Sequence, residues 1–269
     1  YADIKGNWKI DLPMLEASWQ ETMVVKSQAE SLVLEDIAVG EVWLAGCQSN
    51  MEFYFRYEKY AATTRENLPK PNIRFYDVPE VCYTGQIEEF DYSNMSVWRK
   101  ALPEEIDWFS AVGYYFAEAL ETSLRVPVGI IGCNWGGTTS SAWMSMESVK
   151  RVGKGWYLDY EKILAEKDME AYWNKQHGNP MNDRGNPMDD PFTKLVLPKT
   201  ITAEELAANM GNLSEDFDGD FTEVQPQSLP ASLYEHMLKP LAPFALRGVI
   251  WYQGESDDVP GRQSLYQDM

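Results

Sequence analysis

Residues 42–51 read VWLAGCQSNM, an apolar run that ends in a Gly-Cys pair and delivers Gln48, Ser49 and Asn50 in succession. A contiguous run of this kind, closed by small residues, is the pattern of a strand buried on both faces, as in a parallel sheet. Two other stretches repeat it. VPVGIIGCNWGG at 126–137 ends in the pair Gly136-Gly137, and GVIWYQGES at 248–256 ends in Gln253 and Glu255. Open α/β sheets gather reactive groups just beyond the carboxyl ends of their strands, so the first and last of these segments, with Ser49, Gln253 and Glu255, together predict a hydrolase site.

Between the first two runs, PEEIDWFSAVGYYFAEALETSLR (103–125) carries a helical signature. Pro103 and two acids stand at its start, and Ile106, Phe109, Val112, Phe116 and Leu120 follow as an apolar stripe. Strand, helix, strand is the grammar of a βαβ unit. Upstream, TMVVK (22–26) and SLVLEDIAV (31–39) are short β-like runs, so residues 1–38 read as the end of a β-rich N-terminal module and 39–269 as the main domain, with 39–46 its first core strand. Residues 145–230 are charged and rich in Asn, Asp, Gly and Pro, and read as an insertion with helices at about 157–175 and 202–210. Irregular stretches of this length are lids, walls or linkers, and the sequence does not separate these. A helix broken near Pro240 and Pro243 then leads to a last buried strand.

Composition narrows the function classes. The 269 residues fit one large domain on a scale of roughly 100–200 residues per domain. Asp plus Glu total 42 against 23 Lys plus Arg, a formal charge of -19 without a basic patch, which disfavours nucleic acid and anionic membrane as partners. The longest apolar runs fall short of the ~18 residues of a membrane span. Ten tryptophans and fifteen tyrosines offer faces for sugar rings, although most aromatics in a protein of this size are core. Cys47, Cys82 and Cys133 form neither a CxxC pair nor a disulfide framework and read as buried thiols. The opening YADIKGNWKI has no basic stretch followed by an apolar one, and a secreted or periplasmic mature form is favoured over a cytoplasmic protein. Oligomeric state is not encoded in any readable way.

Four strings in order, GEVWLAGCQSNM (40–51), FSAVGYYFAEAL (109–120), VPVGIIGCNWGGTTSSAWMS (126–145) and LYEHMLKPLAPFALRGVIWYQGES (233–256), resemble the sialate O-acetylesterase family of SGNH-type carbohydrate esterases. The resemblance runs from about residue 33 to the end. It implies a three-layer α/β/α, flavodoxin-like sandwich on a parallel sheet, no metal or organic cofactor, and removal of O-acetyl groups from a carbohydrate by a serine nucleophile. An acetylxylan esterase of the same fold, or a carbohydrate-binding protein without turnover, is the alternative. A lipid esterase fits less well, because no long apolar lid is visible.

The chemistry of the residues agrees. A serine hydroxyl attacks an ester only when a base takes its proton, and the resulting oxyanion needs preorganised donors. Ser49 is the expected nucleophile, with its own N–H as one donor. Gly137 is the expected second donor, since glycine lets a backbone approach closely, although Gly136-Gly137 also fits a plain tight turn. The resemblance adds the Gln253 side-chain amide as a third, where SGNH proteins commonly use asparagine. Asn50 braces the serine loop, and with Trp135 it is placed at the substrate. Glu255 has three open roles: capping the helix that follows, facing solvent, or holding a catalytic histidine.

Two departures stand out. Cys47 occupies a position where the family generally has glycine; it is tolerable if the side chain points into the core and disruptive if the turn needs positive φ. The base, by resemblance, lies in a late Asp-x-x-His segment, and no such segment follows QGES here. His177, in a polar loop, reads as solvated, and His236 as a helix-surface or core residue. The expectation is therefore a piece of a longer protein, with the catalytic histidine outside it.

Overall fold

The apolar runs become the centre of a five-stranded sheet. The structure, a computed structural model, describes residues 3–4, 6, 8–27, 29–179, 182–185 and 225–258. Strands β1 (Ser18–Lys26) and β2 (Ser31–Val39) pair as a separate antiparallel hairpin. Strands β3 (Glu41–Cys47), β4 (Lys70–Asp77), β5 (Trp98–Ala101), β6 (Val128–Asn134) and β7 (Gly248–Tyr252) form the main sheet in the order β5-β4-β6-β3-β7. The expected parallel sheet holds for β4, β6, β3 and β7, while β5 runs antiparallel to β4 at one edge. Helices are α1 (Ser49–Glu52), α2 (Ala61–Arg65), α3 (Gln86–Glu89), α4 (Ala111–Leu124), α5 (Met146–Arg151), α6 (Lys154–Glu166) and α7 (Met169–Gln176). Among the described residues no helix is long and apolar enough to cross a membrane.

Because side chains alternate along a strand, a sheet buried on both faces must have two cores. Trp43 and Ala45, Ile73 and Phe75, Val128 and Ile130 pack to one side against Phe109, Tyr114, Phe116 and Ala117 of α4 and its approach. Leu44, Ile131 and Cys133 point the other way, against Trp135, Trp143, Leu233 and Met237. The result is the three-layer α/β/α sandwich. Large and small residues interlock between β3 and β7. Trp43 lies opposite Gly248 and Trp251 opposite Gly46, and a β-carbon on Gly46 would come within 2.7 Å of the Trp251 ring.

Several boundaries differ from expectation. Helix α4 starts at Ala111 rather than near 104, because Ser110 caps it, its hydroxyl accepting the Gly113 N–H at 3.0 Å. Ile106 and Phe109 are buried, but on a 3₁₀ turn ahead of the helix; the helix itself buries Ala111, Tyr114 and Ala117, with Val112, Phe116 and Leu120 beside them. The expected helix at 157–175 is two, α6 and α7, separated at Asp168, which caps the second. The expected helix at 202–210 lies outside the described residues. Strand β7 was expected to be buried, yet Val249, Trp251 and Tyr252 are 51%, 43% and 47% exposed. Its apolar run matches a central strand, but among the described residues it has a partner, β3, on one side. The hairpin is tied to the sheet by Asp36, which meets Lys100 Nζ at 2.7 Å and Arg74 Nη2 at 2.9 Å.

Candidate active site

Strands β6, β3 and β7 are adjacent and parallel, with Asn134, Cys47 and Tyr252 at one level, so their carboxyl ends open on the same edge. Ser49, the Gly136-Gly137 turn, Gln253 and Glu255 all emerge there. The Trp135 N–H donates to the Cys47 carbonyl at 2.8 Å, extending the β3–β6 pairing up to the turns themselves.

Gln48, not Ser49, is the N-cap of α1, so the serine hydroxyl is not spent on capping. Ser49 is exposed, and its hydroxyl and N–H make no hydrogen bond to a described residue. Its neighbours are fixed by one carboxylate. The amides of Gln48 and Asn50 each donate to a different oxygen of Glu255. Glu255 thus holds the chain on both sides of the serine, a role the sequence left unnamed, and it makes no side-chain cap to the 3₁₀ turn it begins. Asn50 is used as a brace.

The Gln253 side chain is saturated. Its Nε2 lies 2.8 Å from Asp257 Oδ2, 3.0 Å from the Thr138 carbonyl and 3.3 Å from Gln48 Oε1, three acceptors for an amide with two protons. Its Oε1 accepts from the Cys47 thiol. The expectation of a third oxyanion donor at Gln253 departs from this arrangement, because no amide proton is left for a ligand. The amide instead locks the three strand ends together. Asp257, which sequence reading passed over, anchors the lock: it is 4% exposed and accepts from the Ser140 N–H at 3.0 Å, from the Ser140 hydroxyl and from Gln253. Its only signal was its place in the polar cluster after β7.

The two glycines have different reasons to be glycine. A β-carbon on Gly136 would lie 3.3 Å from Ser49 Cβ and 3.1 Å from Glu52 Oε2, whereas one on Gly137 would meet nothing within 4 Å. Close approach, expected at Gly137, belongs to Gly136; Gly137 is needed for its φ of +76°. The Gly136 N–H is taken by Glu52 Oε2 at 2.7 Å, while the Gly137 N–H has no partner among the described residues. Trp135 is 4% exposed and packed in the second core, so the expected substrate contact is not available at its ring face.

Beside the turn lies a partly buried charged group. Arg184 bonds Glu80 at 2.6 Å, stands 4.0 Å from Glu52 and sits over the Trp135 ring at 5.6 Å. Burial pushes the Glu80 carboxyl up to about 7 despite that arginine. Burial, with the carboxylates of Glu52, Glu80 and Asp77 nearby, keeps the Tyr54 phenol protonated. Neither histidine reaches Ser49 by a hydrogen bond. His177 is exposed, as expected, and is also paired with Glu89 and set edge-on to Tyr83. His236 lies half-buried on the helical turn before β7, where desolvation lowers its pKa, and both rings line a cavity of about 450 Å³ that Ser49 does not line.

Comparison with known proteins accords with this geometry. No family model matches the chain. The chain is 23% identical to the sialate O-acetylesterase of Mus musculus over 236 residues, 84% of this chain and 37% of that protein. It is 27% identical to the Homo sapiens sialate O-acetylesterase over 152 residues, 54% of this chain and 29% of that protein. In structure it resembles a carbohydrate acetylesterase from Xanthomonas citri, with a TM-score of 0.62 and 25% identity over 97% of this chain and 43% of that one. The chain is related to the sialate O-acetylesterases. It spans little more than a third of the mouse relative's length, 37%.

Cys47 is the position where the resemblance led to glycine being expected, and the structure meets both conditions set for it. Its side chain points into the core, fully buried, and its φ is +128°, a conformation that disfavours any side chain. Burial pushes the thiol's pKa up, so the group beside Ser49 is a neutral donor to Gln253 and not a nucleophile.

Proposed function

We propose that this chain carries the nucleophile side of a carbohydrate O-acetylesterase. The observation that supports it most is the exposed, uncommitted hydroxyl of Ser49, held by Glu255 at the level of the Gly136-Gly137 turn, in a chain related to named acetylesterases. Ser49 Oγ attacks the acetyl carbonyl carbon, and its proton passes to a general base that is neither His177 nor His236. The oxyanion is met by the N–H groups of Ser49 and Gly137, each worth on the order of 3–4 kcal/mol in such sites. On collapse the bond from the acetyl carbon to the sugar oxygen breaks, the base returns its proton to that oxygen, and the acetyl-serine left behind is hydrolysed by water to acetate. Gln253 and Glu255 position the strand ends and do not touch the acetyl group. The aromatic content of the chain suits an O-acetylated sugar as the substrate.

Ser49→Ala in the full chain is expected to abolish acetate release from p-nitrophenyl acetate and from an O-acetylated sugar, while thermal unfolding stays within about 2 °C, as for an exposed side chain without partners. Retained turnover would remove Ser49 from the mechanism. The placement of His177 on Glu89 and of His236 on the helical turn before β7, neither bonded to Ser49, favours a second reading, a carbohydrate-binding protein without turnover. Sugar binding by a full chain that releases no acetate would select it.

A further inference from the structure

Glu52 is the last residue of α1, three after Ser49, and its N–H closes the turn on the Gln48 carbonyl at 3.0 Å. One oxygen of its side chain accepts the Gly136 N–H at 2.7 Å. The other faces Arg184 at 4.0 Å and the Tyr54 hydroxyl at 3.4 Å. A single helical turn therefore holds the nucleophile at one end and, through one charge-assisted hydrogen bond, the glycine turn at the other. We infer that Glu52 is a positioning residue that sets the separation between Ser49 and the Gly137 N–H, with Arg184 neutralising it. The inference rests on the esterase reading above.

Three observations carry it. First, the glycine turn approaches the serine so closely that a β-carbon at Gly136 would touch Ser49 Cβ at 3.3 Å, so the two loops are in contact and their spacing is controlled locally. Second, the clamp consumes the Gly136 N–H, which leaves the Gly137 N–H as the free donor of that turn. Third, a carboxylate this near a developing oxyanion would oppose it unless compensated, and the Glu52 side chain, 15% exposed, has the Arg184 guanidinium beside it. Glu80 and then Glu52 raise the arginine's pKa, so its charge is permanent at any pH of interest. Arg184 comes from the 145–230 region, and this contact ties that region to the catalytic turn.

The test uses the full-length encoded protein, called the parent below, and four variants. Loss of a group that only aligns a transition-state donor lowers kcat and leaves KM alone. Glu52→Ala, and Glu52→Met, which keeps volume but removes the acceptor, are expected to lower kcat about a hundredfold with KM within about twofold. Glu52→Gln retains an oxygen for the Gly136 N–H and is expected to restore kcat to within about threefold. Ser49→Ala is the control. If the parent has no turnover, or Ser49→Ala retains it, the esterase reading fails and the inference with it. If the parent is active and Ser49→Ala is dead, a Glu52→Ala kcat within about threefold of the parent overturns the clamp alone, as does a Glu52→Gln defect as deep as that of Glu52→Ala. If neither Glu52→Ala nor Glu52→Met unfolds cooperatively, Glu52 is a stability residue and the inference is wrong.

Discussion

Cys47 sits in a backbone conformation that glycine adopts freely and other residues at a cost of roughly 1–3 kcal/mol. Replacing it with glycine relieves that strain, adds about 1 kcal/mol of unfolded-state entropy and forfeits a buried thiol. Cys47→Gly is therefore expected within about 1 kcal/mol of the parent in urea unfolding. Cys133 is equally buried, but in the middle sheet without a positive φ, so Cys133→Gly is expected to cost about 2–3 kcal/mol. Equal losses at the two positions would mean that Cys47 is not strained. The family resemblance marked this position as anomalous and named the two conditions that decide it, but φ is a tertiary outcome and was not legible in the sequence. The same holds for Gln253. Its place after a strand was readable, yet whether its amide protons are free depends on Thr138, Gln48 and Asp257, which lie far away in the chain.

The elements that could be read were those with one dominant signal. Strands β3 and β6 are contiguous apolar runs because both faces are buried, and their recognition placed Ser49 and the glycine turn on one edge. Strand β4 has no such run: in KPNIRFYD, Ile73 and Phe75 face the first core while Arg74 reaches out to Asp36, and residues 52–102 yielded no strand from sequence. Strand β7 read as buried because composition reports apolarity, not the number of neighbours. For helix α4 the apolar spacing was visible, but the start was set by a cap. The Ser110 hydroxyl accepts from Gly113 and also donates to the Met51 carbonyl at 2.5 Å, joining α4 to the serine turn. Ser110→Ala is expected to cost about 1–2 kcal/mol and to lower Tm by a few °C per kcal/mol. A change below about 0.3 kcal/mol would show that the cap is not used.

Across the whole molecule, excess acidity and a buried carboxylate give stability a definite pH dependence. Glu80 in the folded protein titrates near 7, above its ordinary value of 4.5. The native state therefore holds a proton that the unfolded chain has released between those values, so this contribution is full below about 4.5 and is lost as pH rises through about 7. Tm is expected to fall between pH 5 and pH 8, and Glu80→Gln, which cannot ionise, to flatten that slope. An identical slope in the variant would remove Glu80 as its source. At this scale the sandwich and the convergence of three strand ends were readable from sequence, whereas the ties from the 145–230 region through Arg184 were not, since nothing local marks an arginine that pairs with residues a hundred positions away.

The central claim is that Ser49 takes the acetyl group. Full-length protein quenched in acid during turnover on p-nitrophenyl acetate, then digested and weighed by mass spectrometry, tests it most directly. The account predicts one added acetyl on the peptide containing Ser49, and none in Ser49→Ala. An acetyl carried elsewhere, or acetate released at the parent rate by Ser49→Ala, would contradict it.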